Sequence, residues 1–200
     1  MKSKIFAVLV LFLLTAITLT AAERSFIIMH SNDRHGYVEA RKDLNTGKPV
    51  AGLDVEATMI GQIRKGALKE GIPTLLVDAG DFFQGTPVVN ETKGEVMIRV
   101  MNELRYDFVT FGNHEFDYGW QNLKKRMDES RFWWLSSTVS APSLGARYRP
   151  YLTWSVAGTK VAFLGATTVT TPEKQLSQRI VGMTFRSPYE VLPPLVERLR

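Results

Sequence analysis

From Ser25 onward, short apolar runs alternate with longer stretches whose apolar residues recur at helical spacing, and this alternation predicts an α/β fold. The first run, Ser25 to His30 (SFIIMH), ends in the polar Ser31-Asn32-Asp33. Between Gly52 and Gly71, Ile60, Ile63, Ala67 and Leu68 fall on one helical face. Thr74 to Val77 is a second buried run and breaks at once into Asp78-Ala79-Gly80-Asp81. Val96, Val100 and Leu104 mark another helix, and the strand-like Phe108 to Phe111 then breaks into Gly112-Asn113-His114-Glu115. A helix around Trp120 to Met127 leads to a fourth strand over Phe132 to Val139. Tyr151 to Val156 and Lys160 to Gly165 flank Ala157-Gly158-Thr159 and predict a β-hairpin. Ser187 to Arg200 reads as a helix with Ser187 at its N-cap and Pro188 in its first position. Pro193 and Pro194 are awkward there, because a proline inside a helix costs about 3 kcal/mol. No internal repeat or linker divides the chain.

Ahead of this pattern lies an address. Lys2 and Lys4 form a positive n-region, Ile5 to Thr20 is uncharged and apolar, and Thr20, Ala21 and Ala22 offer a small-residue cleavage point before Glu23. Residues 1–22 are therefore expected to be a secretory signal peptide, with export to the periplasm or the extracellular space. The apolar stretch is shorter than the ~20 residues that span a bilayer, so membrane contact is expected only through this segment and cleavage is favoured over an anchor. Without residues 1–22, 23 basic residues face 20 acidic ones, a net +3 in place of +5. That excess is small and dispersed and argues against nucleic acid as a partner. The chain has no cysteine, so any metal must be held by imidazole, carboxylate, amide oxygen or water.

Three successive apolar runs each end in a cluster rich in metal-ligand types: Asn32-Asp33-Arg34-His35-Gly36, Gly80-Asp81 and Gly112-Asn113-His114-Glu115. In open α/β sheets, ligands bind beyond the carboxyl ends of the strands, so the three clusters are expected to converge. Asp33 and His35 are two apart, and on an extended strand end both side chains would share a face. Asp81 has two oxygens and can bridge two ions, while Asn113 offers a neutral amide oxygen. Such a set, without thiolate, suits Zn, Mn, Fe or Co and does not choose among them. Asp and Asn are also common turn and cap residues, and Asp117 could cap the helix that follows it. His30 points away on strand alternation and is not expected to bind metal.

The runs SNDRHG (31–36), DAGDFFQGT (78–86) and GNHEFDYG (112–119) resemble the three opening motifs of the calcineurin-like metallophosphoesterases, in particular their 5'-nucleotidase branch. The likeness continues through Arg149-Pro150-Tyr151 to Thr167-Thr168. It implies the N-terminal part of an α/β sandwich, two sheets flanked by helices, over residues 23–200. It also implies hydrolysis of a small-molecule phosphate ester, most simply a nucleotide, by a metal-activated water at a site of two divalent ions. On this resemblance Asp33 and His35 would hold the first ion, Asp81 would bridge both, and Asn113 would hold the second. His114 would be the catalytic histidine, partnered by Asp117. Arg34 stands where the family has a smaller or apolar residue, at a position that is not a ligand.

The family also uses later histidines, whereas this sequence has only His30, His35 and His114. The domain is therefore expected to be incomplete at its C-terminus, with weak metal binding and no measurable nucleotidase activity from the 200 residues alone. A cyclic nucleotide, a sugar nucleotide or a sulfur ester are alternative substrates of the same chemistry, and a non-catalytic fragment is the reading from outside enzymes. Oligomeric state leaves no mark on the sequence.

Overall fold

The structure is a computed structural model that describes residues 25–50, 52–145 and 147–200. The expected signal segment lies outside the described residues. Eleven strands are present among them: β1 (Ile27–Ser31), β2 (Arg41–Lys42), β3 (Pro49–Val50), β4 (Thr74–Asp78), β5 (Phe108–Thr110), β6 (Trp133–Leu135), β7 (Val139–Ser140), β8 (Tyr148–Arg149), β9 (Tyr151–Val156), β10 (Thr159–Leu164) and β11 (Thr184–Phe185). The helices are α1 (Leu53–Lys69), α2 (Pro87–Thr92), α3 (Glu95–Glu103), α4 (Gly119–Glu129), α5 (Thr171–Lys174) and α6 (Pro188–Leu199). None is long and apolar enough to cross a membrane.

Five strands form one parallel sheet in the order β1-β4-β5-β6-β8. Alternation along each strand divides its residues between two faces. Met29, Leu76, Val109 and Trp134 face α1, α3 and α4, which contribute Ile60, Met97, Ile98, Met101, Leu123 and Met127 to the same core. On the other face Phe108 meets Phe163 of β10, their ring centroids 4.7 Å apart, so the antiparallel β9–β10 hairpin covers part of the sheet there. This is the expected mixed α/β architecture, with a parallel central sheet and helices.

Two local expectations change. The fourth strand does not run from Phe132 to Val139 but divides into β6 and β7. Between them the Ser137 backbone N–H bonds to the Gly165 carbonyl, and the Thr138 hydroxyl donates to the Thr167 carbonyl and accepts from the Thr167 N–H. Hydroxyl side chains here take over backbone groups that a continuous ladder would have used. The two-residue turn of the β9–β10 hairpin is Ala157-Gly158, both at positive φ as a tight hairpin turn requires, so Thr159 belongs to the strand. The last helix forms as expected and runs through both prolines.

One buried polar group spans the ends of β1 and β4. Ser31 Oγ donates to Asp78 Oδ2 at 2.5 Å, the Gly80 N–H donates to Asp78 Oδ1 at 2.7 Å, and Arg34 Nε lies 3.6 Å from Asp78 Oδ2. Arg34 also pairs with Glu56 and donates to Tyr106 Oη at 2.8 Å. Arg34, expected only not to be a ligand, is thus a nearly buried tie between β1, α1 and β4. Burial pushes the Asp78 carboxyl up to about 6, against the bonds from Ser31 and Gly80 and the charge of Arg34, which favour ionisation. A carboxyl raised on folding adds stability that is fully present below about pH 4 and is lost as pH rises through about 6. We expect the unfolding free energy of the native protein, relative to Asp78→Asn, to fall by up to about 3 kcal/mol between pH 4 and 6.5. Denaturant titration across that range measures it, and parallel pH profiles for the two proteins would contradict it.

Candidate metal centre

The loops after β1, β4 and β5 are pressed together by backbone contacts. The Asp33 N–H bonds to the Gly80 carbonyl at 2.9 Å and the His35 N–H to the Asp81 carbonyl at 3.0 Å, which straps the first loop onto the second. The Thr86 N–H returns to the His35 carbonyl at 3.0 Å. Gly80 lies so close to the third loop that a methyl group there would stand 2.7 Å from the Gly112 Cα and nearer still to its nitrogen. Only a residue without Cβ allows this approach.

Asp33, His35 and Asp81 all have left-handed backbones, with φ of 50°, 46° and 62°. The extended geometry expected for Asp33 and His35 is therefore wrong: β1 ends at Ser31, and the loop curls. Asp and His tolerate this region better than most residues, at a cost of roughly 1–3 kcal/mol each. Strain of this kind persists where the surroundings over-determine it, and the straps from the Gly80 and Asp81 carbonyls do so here.

The curl brings the side chains together. Ligand atoms of His35, Asp81 and His114 all lie within 4.8 Å of one another, and the two imidazole rings meet edge to face at 5.1 Å. His35 Nδ1 is 2.8 Å from the Gln84 carbonyl, which only accepts, so Nδ1 is the donor there and Nε2 is the ring nitrogen left to face an ion. Asp33 Oδ1 lies 3.8 Å from that Nε2. Asp81 Oδ1 accepts the His114 backbone N–H at 2.9 Å. Asn113 is buried, and its side-chain oxygen lies 3.4 Å from Lys174 Nζ. All the residues singled out from the three motifs thus reach one end of the sheet, whereas His30 is exposed and stands outside the cluster.

His114 Nδ1 is 2.7 Å from Asp117 Oδ2, leaving Nε2 free. Asp117 does not cap α4: Tyr118 holds the N-cap position and makes no side-chain cap bond. The other Asp117 oxygen accepts from Gln175 Nε2 at 2.5 Å, and that amide also reaches the Asn113 carbonyl at 3.0 Å. Sequence reasoning missed Lys174 and Gln175, the last residue and the C-cap of the four-residue α5, which is too short to show a periodicity and carries no motif. It also gave no role to Glu115, whose side chain is wholly buried. Burial first, then the charge of Asp81, pushes the Glu115 carboxyl above its ordinary range, while three backbone N–H donors favour its ionised form. That residue stood inside a quoted motif, and its position beside His114 was the available signal.

Two imidazoles, carboxylates and an amide oxygen in one cleft, with no thiolate, are a donor set that fits a divalent transition ion. Gly112 offers a test, because a methyl group there would stand 2.6 Å from Asp81 Cγ and closer to Oδ1. We expect Gly112→Ala to displace the Asp81 carboxylate and weaken Mn²⁺ binding by about 10- to 100-fold. Calorimetric titration measures this, and unchanged affinity would separate Asp81 from the site.

Comparison with known proteins agrees with this geometry. The profile of the family described as Calcineurin-like phosphoesterase matches residues 27–170. The 5'-nucleotidase of Rattus norvegicus is 35% identical in an alignment 192 residues long that covers 90% of this chain and 32% of that protein. Protein UshA of Salmonella pullorum is 30% identical over 173 residues, 86% of this chain and 30% of its own length. Among solved structures, the 5'-nucleotidase precursor from Thermus thermophilus superposes with a TM-score of 0.74 at 31% identity, covering 86% of this chain and 34% of that one. The chain thus spans about a third of the length of the curated relatives it matches. With the profile covering most of its length and the strand-end loops built as described, the chain belongs to the calcineurin-like phosphoesterase family.

Proposed function

We propose that the chain forms the metal-bearing part of a phosphomonoesterase that acts on nucleotides. The observation that carries this reading is the convergence of His35, Asp81 and His114 beyond the strand ends, with Asp33 and Asn113 beside them. Kinship to 5'-nucleotidases supports the nucleotide as substrate. Asp33 and His35 would hold one divalent ion, Asn113 a second, and Asp81 both; Zn, Mn, Fe and Co all suit the donors. When bound, such ions supply a water of lowered pKa and a charge clamp for phosphoryl oxygens.

The chain's own residues would do the rest. His114, held at Nδ1 by Asp117, turns Nε2 toward the cleft, where it can donate a proton to the leaving oxygen. Gln175 holds the second oxygen of Asp117 and thereby keeps the imidazole from swinging. Lys174, beside the Asn113 amide, adds positive charge where an anionic ester would lie.

Metal analysis separates these roles. Asp81→Ala should remove divalent metal from the protein, while His114→Ala should leave it nearly intact. In a background whose metal shells are completed by further histidines, His114→Ala should slow phosphate release from AMP by about 10²- to 10⁴-fold. Failure of the unmodified chain to bind Zn²⁺ or Mn²⁺ would remove the metal reading. Equal metal loss in both variants would make His114 a ligand instead of an acid.

We further propose residues 1–22 as an export signal, on the strength of Lys2, Lys4 and the uncharged Ile5 to Thr20. Expressed in a bacterium with its own N-terminus, the mature protein should begin at Glu23 and appear outside the cytoplasm. N-terminal sequencing that finds Met1 on the exported form would contradict cleavage.

A further inference from the structure

We infer that Glu115 is a positioning residue that sets the distance between the two loops carrying Asp81 and Asn113-His114. Its Oε1 accepts the Phe82 N–H at 2.9 Å, and its Oε2 accepts the Asp81 N–H at 2.9 Å and the Gly112 N–H at 2.7 Å. One oxygen therefore bridges the loop after β4 and the loop after β5. The side chain is wholly buried, and no Lys, Arg or His pairs with it among the described ion pairs.

Burying a carboxylate without a cation is unfavourable, and backbone donors must compensate for the lost water. Three N–H groups converging from two loops can do so only for a group with two acceptor oxygens on one side. A glutamine offers one oxygen and turns an N–H₂ donor toward the remaining amides. The site therefore calls for a carboxylate, and aspartate, one methylene shorter, would not reach both loops from the same backbone.

The clamp acts where the cluster is most sensitive. Asp81 donates its backbone N–H to Glu115 and accepts the His114 N–H at Oδ1, so the residue proposed to bind metal is held at its backbone and at its carboxylate. Gly80 and Gly112 allow the loops to touch, and Glu115 holds them there. Packing of Phe82 and Phe116 keeps the loops near the core but cannot fix the in-plane direction of the Asp81 side chain, because apolar contacts are not directional. This role rests on the reading of Asp81 as a metal ligand.

The experiment compares the unmodified chain, Glu115→Gln, Glu115→Asp and Met97→Ala, the last a fully buried core change in α3. Mn²⁺ affinity is measured by calorimetry, metal-free stability by thermal unfolding, and amide hydrogen exchange at Asp81, Phe82 and Gly112 by NMR. Glu115→Gln should weaken Mn²⁺ binding by about 10- to 100-fold and speed exchange at these three amides, whereas Met97→Ala should keep the affinity even where it unfolds at lower temperature. Glu115→Asp is read the same way if the glutamine variant does not fold. In the unmodified protein the three amides should exchange slowly although they lie in loops, a result that needs no variant. Free-loop exchange rates there, Mn²⁺ affinity preserved in Glu115→Gln, or a loss in Met97→Ala proportional to its instability would each overturn the clamp. If the unmodified chain binds no Mn²⁺ while its three amides are protected, the clamp stands and the metal reading falls.

Discussion

The placement of the strand-end loops depends on an aromatic cluster around Trp134. Phe82 and Phe83 follow Asp81 directly and lie 5.6 and 5.9 Å from the Trp134 ring, and Phe111, just before Gly112, stacks on the same ring at 5.3 Å. All four side chains are essentially excluded from water. Each buries a large apolar area in a close-packed setting where displacement of a ring leaves a void its neighbours cannot fill. The chain therefore leaves β4 and β5 at fixed points, and the polar residues beside these rings have little choice of position. Phe116, on the far side of His114, packs on Phe111 and closes the arrangement.

Above this apolar base lies a second tier made of backbone hydrogen bonds. The first loop is strapped to the second by the Gly80 and Asp81 carbonyls, and the second to the third by close contact of Gly80 with Gly112. The tiers differ in kind. Hydrophobic packing fixes where the loops start, while directional bonds fix how their side chains point. The positive φ angles of Asp33, His35 and Asp81 are a local cost of that directionality, borne by the packing beneath.

Much of this was legible before any coordinates. The short apolar runs and the period-3.6 stretches located β1, β4, β5, α1, α3 and α4 because each buries residues in the same core, and burial is what writes such patterns into a sequence. The three polar clusters were legible because strand ends in such sheets face a common cleft. What could not be read is equally physical. The left-handed loop after β1 leaves no hydrophobic pattern, so Asp33 and His35 were assigned an extended geometry that the strapping bonds exclude. Short elements such as α2, β8 and β11 bury too few residues to show a period. Arg34 and Gln175 act through partners distant in sequence, Asp78 and Tyr106 for one and Asp117 for the other, and no local signal encodes a distant partner.

The order β1-β4-β5-β6-β8 has a meaning beyond geometry. Within this sheet, each strand lies beside the one made just before it, so the order of strands from one edge is the order of their synthesis. The helices α1, α3 and α4 between the sheet's first four strands pack into one core on the same side, as right-handed crossovers repeated in one direction require. The interval between Gly80 and Asn113 corresponds to about 2–7 s of synthesis at about 5–20 residues per second. At the end of that interval the first two loops have been made and the third has not, so the walls of the cleft follow one another in the order of synthesis.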